Sequence, residues 1–192
     1  MSRNAGADAR LRELYAQVPQ IPGCLGRCWV SCGPADMARR ERQRIAAAGY
    51  RITPQPAATR LPYTYFCEAL TSAGRCAVYD LRPMICRLWG VTEGMPCPYG
   101  CQPDPGYLTD REGLRLLLES QAVGGCEYQQ LTLADVDELL AAWDASAAPQ
   151  WMARSRANDR AGVSRRIAAT GGELPESVTS RPGRRGGTGK RA

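Results

Sequence analysis

An α+β fold, small and rich in loops, is what this sequence predicts, and three observations carry the prediction. Helical periodicity is confined to the segments before Gly49 and after Thr109, and the middle holds short Tyr-, Val- and Phe-rich runs that read as strands. Twenty Gly and 14 Pro among 192 residues require much irregular backbone. Nine Cys stand against no His, and eight of the nine fall between Cys24 and Cys101. The length suits one domain with a tail: 1–153 as a cysteine-rich domain and 154–192 as an Arg/Gly-rich flexible segment.

The elements follow in chain order. Residues 7–18 predict an amphipathic helix with Leu11, Leu14, Tyr15 and Val18 on one side, ended by Pro19 and Pro22. The cluster CLGRCWVSCGP comes next, with Pro34 at a tolerated first-turn position. A polar helix then runs from about residue 35 to Gly49, which suits a C′ position. Its Arg39, Arg40, Arg42 and Arg44 read as a solvated face. Residues 51–62 hold three prolines and predict an extended loop. YTYFCEAL and RCAVYDL predict a short β-hairpin across TSAGR, and RPMICRLWG through PDPGY predicts irregular chain. Thr109 and Glu112 form a capping box that opens a helix carrying Leu114, Leu117 and Leu118, stopped by Gly124 and Gly125. Thr132 and Asp135 open another, with Leu133, Val136, Leu139, Leu140 and Trp143 on one face and Pro149 as its limit.

Charge separates the tail from the body. Residues 1–153 hold 15 Arg against 16 Asp and Glu, whereas 154–192 hold 10 Lys and Arg against three acids. The basic tail has almost no large apolar residue after about residue 170, so disorder is expected there. RPGRRGG admits a nucleic-acid or acidic partner through the tail, although no aromatic residue is interleaved for stacking.

Without imidazole the chain has no His ligand or His base, and thiolate is its plentiful soft donor. Thiolates at short spacing select zinc, copper(I) or iron–sulfur chemistry. Cys24, Cys28 and Cys32 are each separated by three residues, with Gly23, Gly26 and Gly33 to turn the backbone. Cys97 and Cys101 flank a Pro/Gly turn, and Cys67, Cys76 and Cys86 are too far apart to share one, so the fold must bring them in. A disulfide framework is the alternative. It needs an oxidising compartment, and the first twenty residues contain no apolar signal run, nor does the chain hold a membrane-spanning stretch. A cytoplasmic location with no membrane partner is therefore expected.

IPGCLGRCWVSCGP with the following ERQRI, then Cys67, CAVYDLRPMICRLWG and CPYGCQPDPGYLTDREG, resembles the zinc- or iron-chelating proteins defined by a CxxxCxxCC motif. The resemblance covers roughly residues 15–118, and Cys76 to Arg87 is its most specific part. It implies a metal ion as partner and zinc or iron, including an iron–sulfur cluster, as cofactor, with Cys24, Cys28, Cys32, Cys67, Cys76, Cys86, Cys97 and Cys101 as ligands. Ser31 stands where the motif has its third cysteine, and a neutral hydroxyl is a poorer ligand for soft metals than a thiolate. The same serine breaks the triad of radical S-adenosylmethionine enzymes. Larger proteins with this domain resemble flagellin lysine methylases, which implies redox or group transfer as an alternative to a metal-binding module. A third class is a metal-stabilised adaptor acting through the tail.

Tyr79, Asp80, Arg82 and Arg87 lie among the cysteines. Two readings stand for the arginines: hydrogen bonds to carbonyls or to Asp80, and cations that offset a thiolate-rich site. Trp29 and Trp89 are expected to shield it. No catalytic residue is assigned, because no nucleophile–base couple and no phosphate-binding glycine loop is present.

Overall fold

A computed structural model describes residues 3–24, 26–33, 35–53, 66–126, 129–146, 173 and 176–179. Its elements are α1 (Arg3–Ala16), α2 (Arg39–Ala47), α3 (Met84–Leu88), β1 (Val91–Thr92), β2 (Met95–Pro96), α4 (Asp110–Gly124), α5 (Leu133–Ala145) and α6 (Glu176–Thr179). Tight 3-10 turns occupy Cys28–Ser31 and Tyr79–Leu81. Several short helices with one small antiparallel sheet make the domain α+β. The expectations placed on Pro34, on most of the 51–62 loop, on Pro149 and on nearly all of the tail lie outside the described residues. Among the described residues no helix is long and apolar enough to cross a membrane.

The helical layer follows from the apolar spacing. Leu11, Leu14, Tyr15 and Val18 are buried, and with Met84, Leu88, Val91 and Leu116 they form one core cluster. Each such side chain removed from water contributes about 1.5–3 kcal/mol. α4 packs most extensively against α1 and α5 and also touches α3 and α2. Its buried stripe is Gly113, Leu116 and Ser120, turned away from the expected Leu114, Leu117 and Leu118, which are half-buried. Close approach explains the rotation. A Cβ on Gly113 would stand 2.7 Å from the Thr92 methyl, so the smallest residue faces the nearest neighbour. In α5 only Val136 and Leu140 are buried, and Leu133 and Leu139 stay exposed, because α5 covers one side of the bundle without being covered itself.

Strand formation differs from expectation. Residues 63–65 lie outside the described residues; among those described, 66–70 and 75–81 meet through a single bridge, Leu70 with Cys76, and Tyr79–Leu81 closes into a 3-10 turn. The ladder forms later, where Val91 pairs with Pro96 and Thr92 with Met95. Pro96 has no N–H to extend it. RPMICRLWG, expected to be irregular, forms α3 because Met84 and Leu88 lie one turn apart and both insert into the core. α2 begins at Arg39, later than expected, because Ala38 is extended and stands as its N-cap. Gly49 does take the expected left-handed position, with φ 82°.

Both predicted capping boxes form. Thr109 N–H donates to Glu112 at 2.7 Å and Thr132 N–H to Asp135 at 2.7 Å. Those backbone bonds, and then the threonine hydroxyls, hold Glu112 below its ordinary 4.5 and Asp135 below its ordinary 3.8. Depressed carboxylates stabilise the fold fully above their ordinary values and lose that contribution as pH falls through the lowered ones. Thr109→Ala is expected to cost about 1 kcal/mol near neutrality and only slightly less in acid, read from urea midpoints at both pH values, because the bond its hydroxyl accepts from the Glu112 N–H does not titrate.

Candidate metal centre

Four cysteines from four separate segments gather around one apolar cluster. Ala35, Met37, Ile45, Ile52, Cys67, Ala69 and Val78 form its buried part, and Cys32, Cys76 and Cys86 pack against it. Cys32 ends the 3-10 turn Cys28–Ser31, its N–H donating to the Trp29 carbonyl at 3.0 Å. Its own carbonyl accepts from the Cys67 N–H at 3.2 Å, which ties the first motif to the second. Cys76 is placed by its bridge to Leu70 and by the turn at Gly74, where φ is 70°. Cys86 rides on α3, on the side away from Met84 and Leu88 that faces the cysteines.

The electrostatics follow from this packing. Burial, and after it the neighbouring Cys67 and Cys76 thiols, push Cys86 up to about 12, while the Arg82 guanidinium acts in the opposite direction. Burial likewise raises Cys76, against a Val78 backbone hydrogen bond and Arg82. Arg82 thus presents a cation to both thiols. Its Nε also donates to the Tyr79 carbonyl at 3.0 Å, and its guanidinium stacks on the exposed Tyr79 ring at 3.6 Å. Arg87 donates to the carbonyls of Arg82 and Asp80 at 2.8 and 2.6 Å. The hydrogen-bond reading describes the geometry, since both arginines brace backbone carbonyls, and the Arg82 charge also opposes the upward shift of Cys76 and Cys86.

The other expected ligands are not part of that cluster. Cys24 is exposed, and the Gly26 N–H donates to its Sγ at 3.4 Å. Gly26 has φ 63°, a left-handed backbone that favours glycine, and the Arg75 guanidinium lies over it. Cys97 is buried beside Gly90 and Ile21, and Cys101 follows across the turn closed by Gly100 N–H on the Cys97 carbonyl. Ile21 also accepts the Cys24 N–H, which brings the Cys24 loop against the Cys97–Cys101 loop. The Cys28 side chain lies outside the described residues. Cys126 follows α4, where its carbonyl accepts from Arg39 at 3.3 Å, and it belongs to neither cysteine group. None of the eight described cysteines is in a disulfide. Among the described residues, no three Cys, Asp or Glu side chains stand together at metal-holding distance.

Trp29 is buried against Phe66, with ring centroids 6.1 Å apart, and Tyr99 and Cys32 both pack against that cluster, which does not include Trp89. Trp89 Nε1 and Ser31 Oγ are buried with no hydrogen-bond partner among the described residues. Arg39, Arg40, Arg42 and Arg44, expected to be solvated, are all engaged. Arg40 pairs with Asp8 at 2.5 Å, Arg42 donates to the Ile52 carbonyl at 2.6 Å, and Arg44 lies 5.8 Å from the Tyr15 ring. Sequence reasoning missed Glu41 in the same helix. It is 1% exposed and accepts from the Tyr15 hydroxyl, the Ala38 N–H and the Met84 N–H. Its place three residues into a helix that lacks a capping side chain was the available signal.

The chain matches no family model, no curated protein and no solved structure. Its likeness to the CxxxCxxCC proteins rests on the motif residues alone.

Proposed function

We propose that this chain is a metal-binding protein that holds zinc or iron through Cys32, Cys67, Cys76 and Cys86, with Cys24, Cys28, Cys97 and Cys101 as a further donor group. The carrying observation is the convergence of Cys32, Cys67, Cys76 and Cys86 from four segments on one cluster, with the Arg82 charge favouring ionisation of two of the sulfurs. Neutral thiols pack well in apolar surroundings, so burial alone does not call for a metal; the meeting of four thiols from four segments does point to one, and a soft cation would bind them by displacing their protons. The donor chemistry fits the group. All candidate donors are sulfur, and the buried carboxylate in the region, Glu41, is already committed to three hydrogen bonds. The Ser31 hydroxyl, buried beside Cys32 without a partner among the described residues, supports the same fit, since a bound ion or its water would satisfy it.

In this reading Trp29, Phe66 and Tyr99 exclude water from the Cys32 side, and Arg82 offsets the negative charge of the thiolates. Bound zinc would cross-link the four segments, and an iron–sulfur cluster would add a redox function. A reducing, cytoplasmic setting suits uncoupled thiols. Elemental analysis with an absorption spectrum, on full-length protein purified without oxygen, tests the proposal. Stoichiometric zinc in a colourless sample supports a structural or binding module. Iron with acid-labile sulfide and a broad visible band supports the redox or group-transfer class. A chain containing neither metal overturns the proposal.

A further inference from the structure

Glu41 is the only buried carboxylate among the described residues, and capping α2 accounts for just one of its bonds. Its Oε2 accepts from the Ala38 N–H at 2.9 Å, at the start of α2. Its Oε1 accepts from the Tyr15 hydroxyl of α1 at 2.7 Å and from the Met84 N–H at 2.8 Å. Met84 is the first residue of α3, two before Cys86. On the other side of Cys86, the Arg87 guanidinium lies 4.1 Å from the centroid of the Tyr15 ring. Arg87 also donates to the carbonyls of Arg82 and Asp80. The backbone is therefore held on both sides of Cys86, by Glu41 before it and by Arg87 over Tyr15 after it.

α3 has five residues and no side-chain cap, and a helix so short does not stand alone. Burial of Met84 and Leu88 fixes its depth. The Glu41 bond fixes where its first turn begins, and so where the Cys86 sulfur lies relative to Cys67 and Cys76. Burying a carboxylate is costly, and a helix cap on the surface does not require it.

We infer that Glu41 is a positioning residue for Cys86, holding its thiol beside Cys67 and Cys76 and thereby setting the metal affinity of the cluster. The inference rests on the metal-binding reading only for its last clause.

The test uses full-length wild type, Glu41→Gln and Tyr15→Phe, freed of metal by a chelator under reducing conditions. A carboxamide offers one acceptor oxygen where three donors converge on two, so at least one donor then meets an NH2. Alkylation by iodoacetamide is followed cysteine by cysteine by peptide mass spectrometry, with Cys126 as internal reference. Cys86 labelling relative to Cys126 is expected to rise about fivefold for each hydrogen bond lost, in both variants. Co2+ titration, read from the thiolate absorption band, is expected to show affinity weakened about 10- to 100-fold in Glu41→Gln. An unchanged Cys86, or a rise shared equally by Cys126, overturns the inference, since a merely structural Glu41 would loosen the whole chain. If Glu41→Gln does not fold, the Tyr15→Phe comparison decides by the same criterion. A wild type that takes no Co2+ but whose variants show the Cys86-specific rise supports the positioning role and overturns the zinc form of the metal reading.

Discussion

Cys86→Ser is expected to lose most of the metal bound by the wild type, with content per chain falling about tenfold or more, while Cys126→Ser retains it. The expectation follows from position. Cys86 packs against the same cluster as Cys67 and Cys76, and both of those thiols oppose its ionisation, so its loss removes one sulfur from the set. Serine keeps the size but offers a neutral hydroxyl, a poor ligand for a soft cation. Cys126 sits beyond the end of α4, its carbonyl bonded to Arg39, and is no part of the cluster. Elemental analysis of the two variants beside the wild type makes the comparison. Equal losses in both would show that metal content follows general folding, and retention in Cys86→Ser would remove that residue from the ligand set.

Leu14→Ala is expected to destabilise the domain by about 3 kcal/mol, a large share of the roughly 5–15 kcal/mol that holds a typical fold. Leu14 is fully buried in the cluster where α1 meets α3 and α4, and truncation leaves a cavity that surrounding helices fill only partly. Urea unfolding with and without chelator checks a second feature of the result. The Leu14 cluster and the cysteine cluster consist of different residues, so the loss should be similar in both conditions. A loss seen only with metal present would show that the helical layer and the cysteine cluster are one cooperative unit.

How far the chain could be read varies by element, for identifiable reasons. α1, α4 and α5 were legible because their apolar periodicity and capping boxes are local signals. α3 was not, since a five-residue helix between Pro83 and Gly90 owes its existence to the burial of Met84 and Leu88 against α1 and α4. The hairpin expected across TSAGR shrank to one bridge. β-Propensity in Tyr, Val and Phe reflects packing on a sheet, and this segment packs on a cysteine cluster instead. Leu116 displaced its leucine neighbours from the core for the same kind of reason: the approach of Thr92 to Gly113 set the rotation of α4.

By itself the sequence determined the chemical vocabulary: sulfur donors in quantity, no imidazole, glycines where loops must turn, and a basic charge confined to the tail. Such properties are composition and spacing, which need no partner to be expressed. The tertiary structure alone decided that Cys32, Cys67, Cys76 and Cys86 share a cluster apart from Cys126, that Arg82 is braced on Tyr79, and that Glu41 is buried at the start of the helix bearing Cys86. These are contacts between residues distant in the chain. Their cost in ordering and desolvation is offset only when the whole domain closes around them.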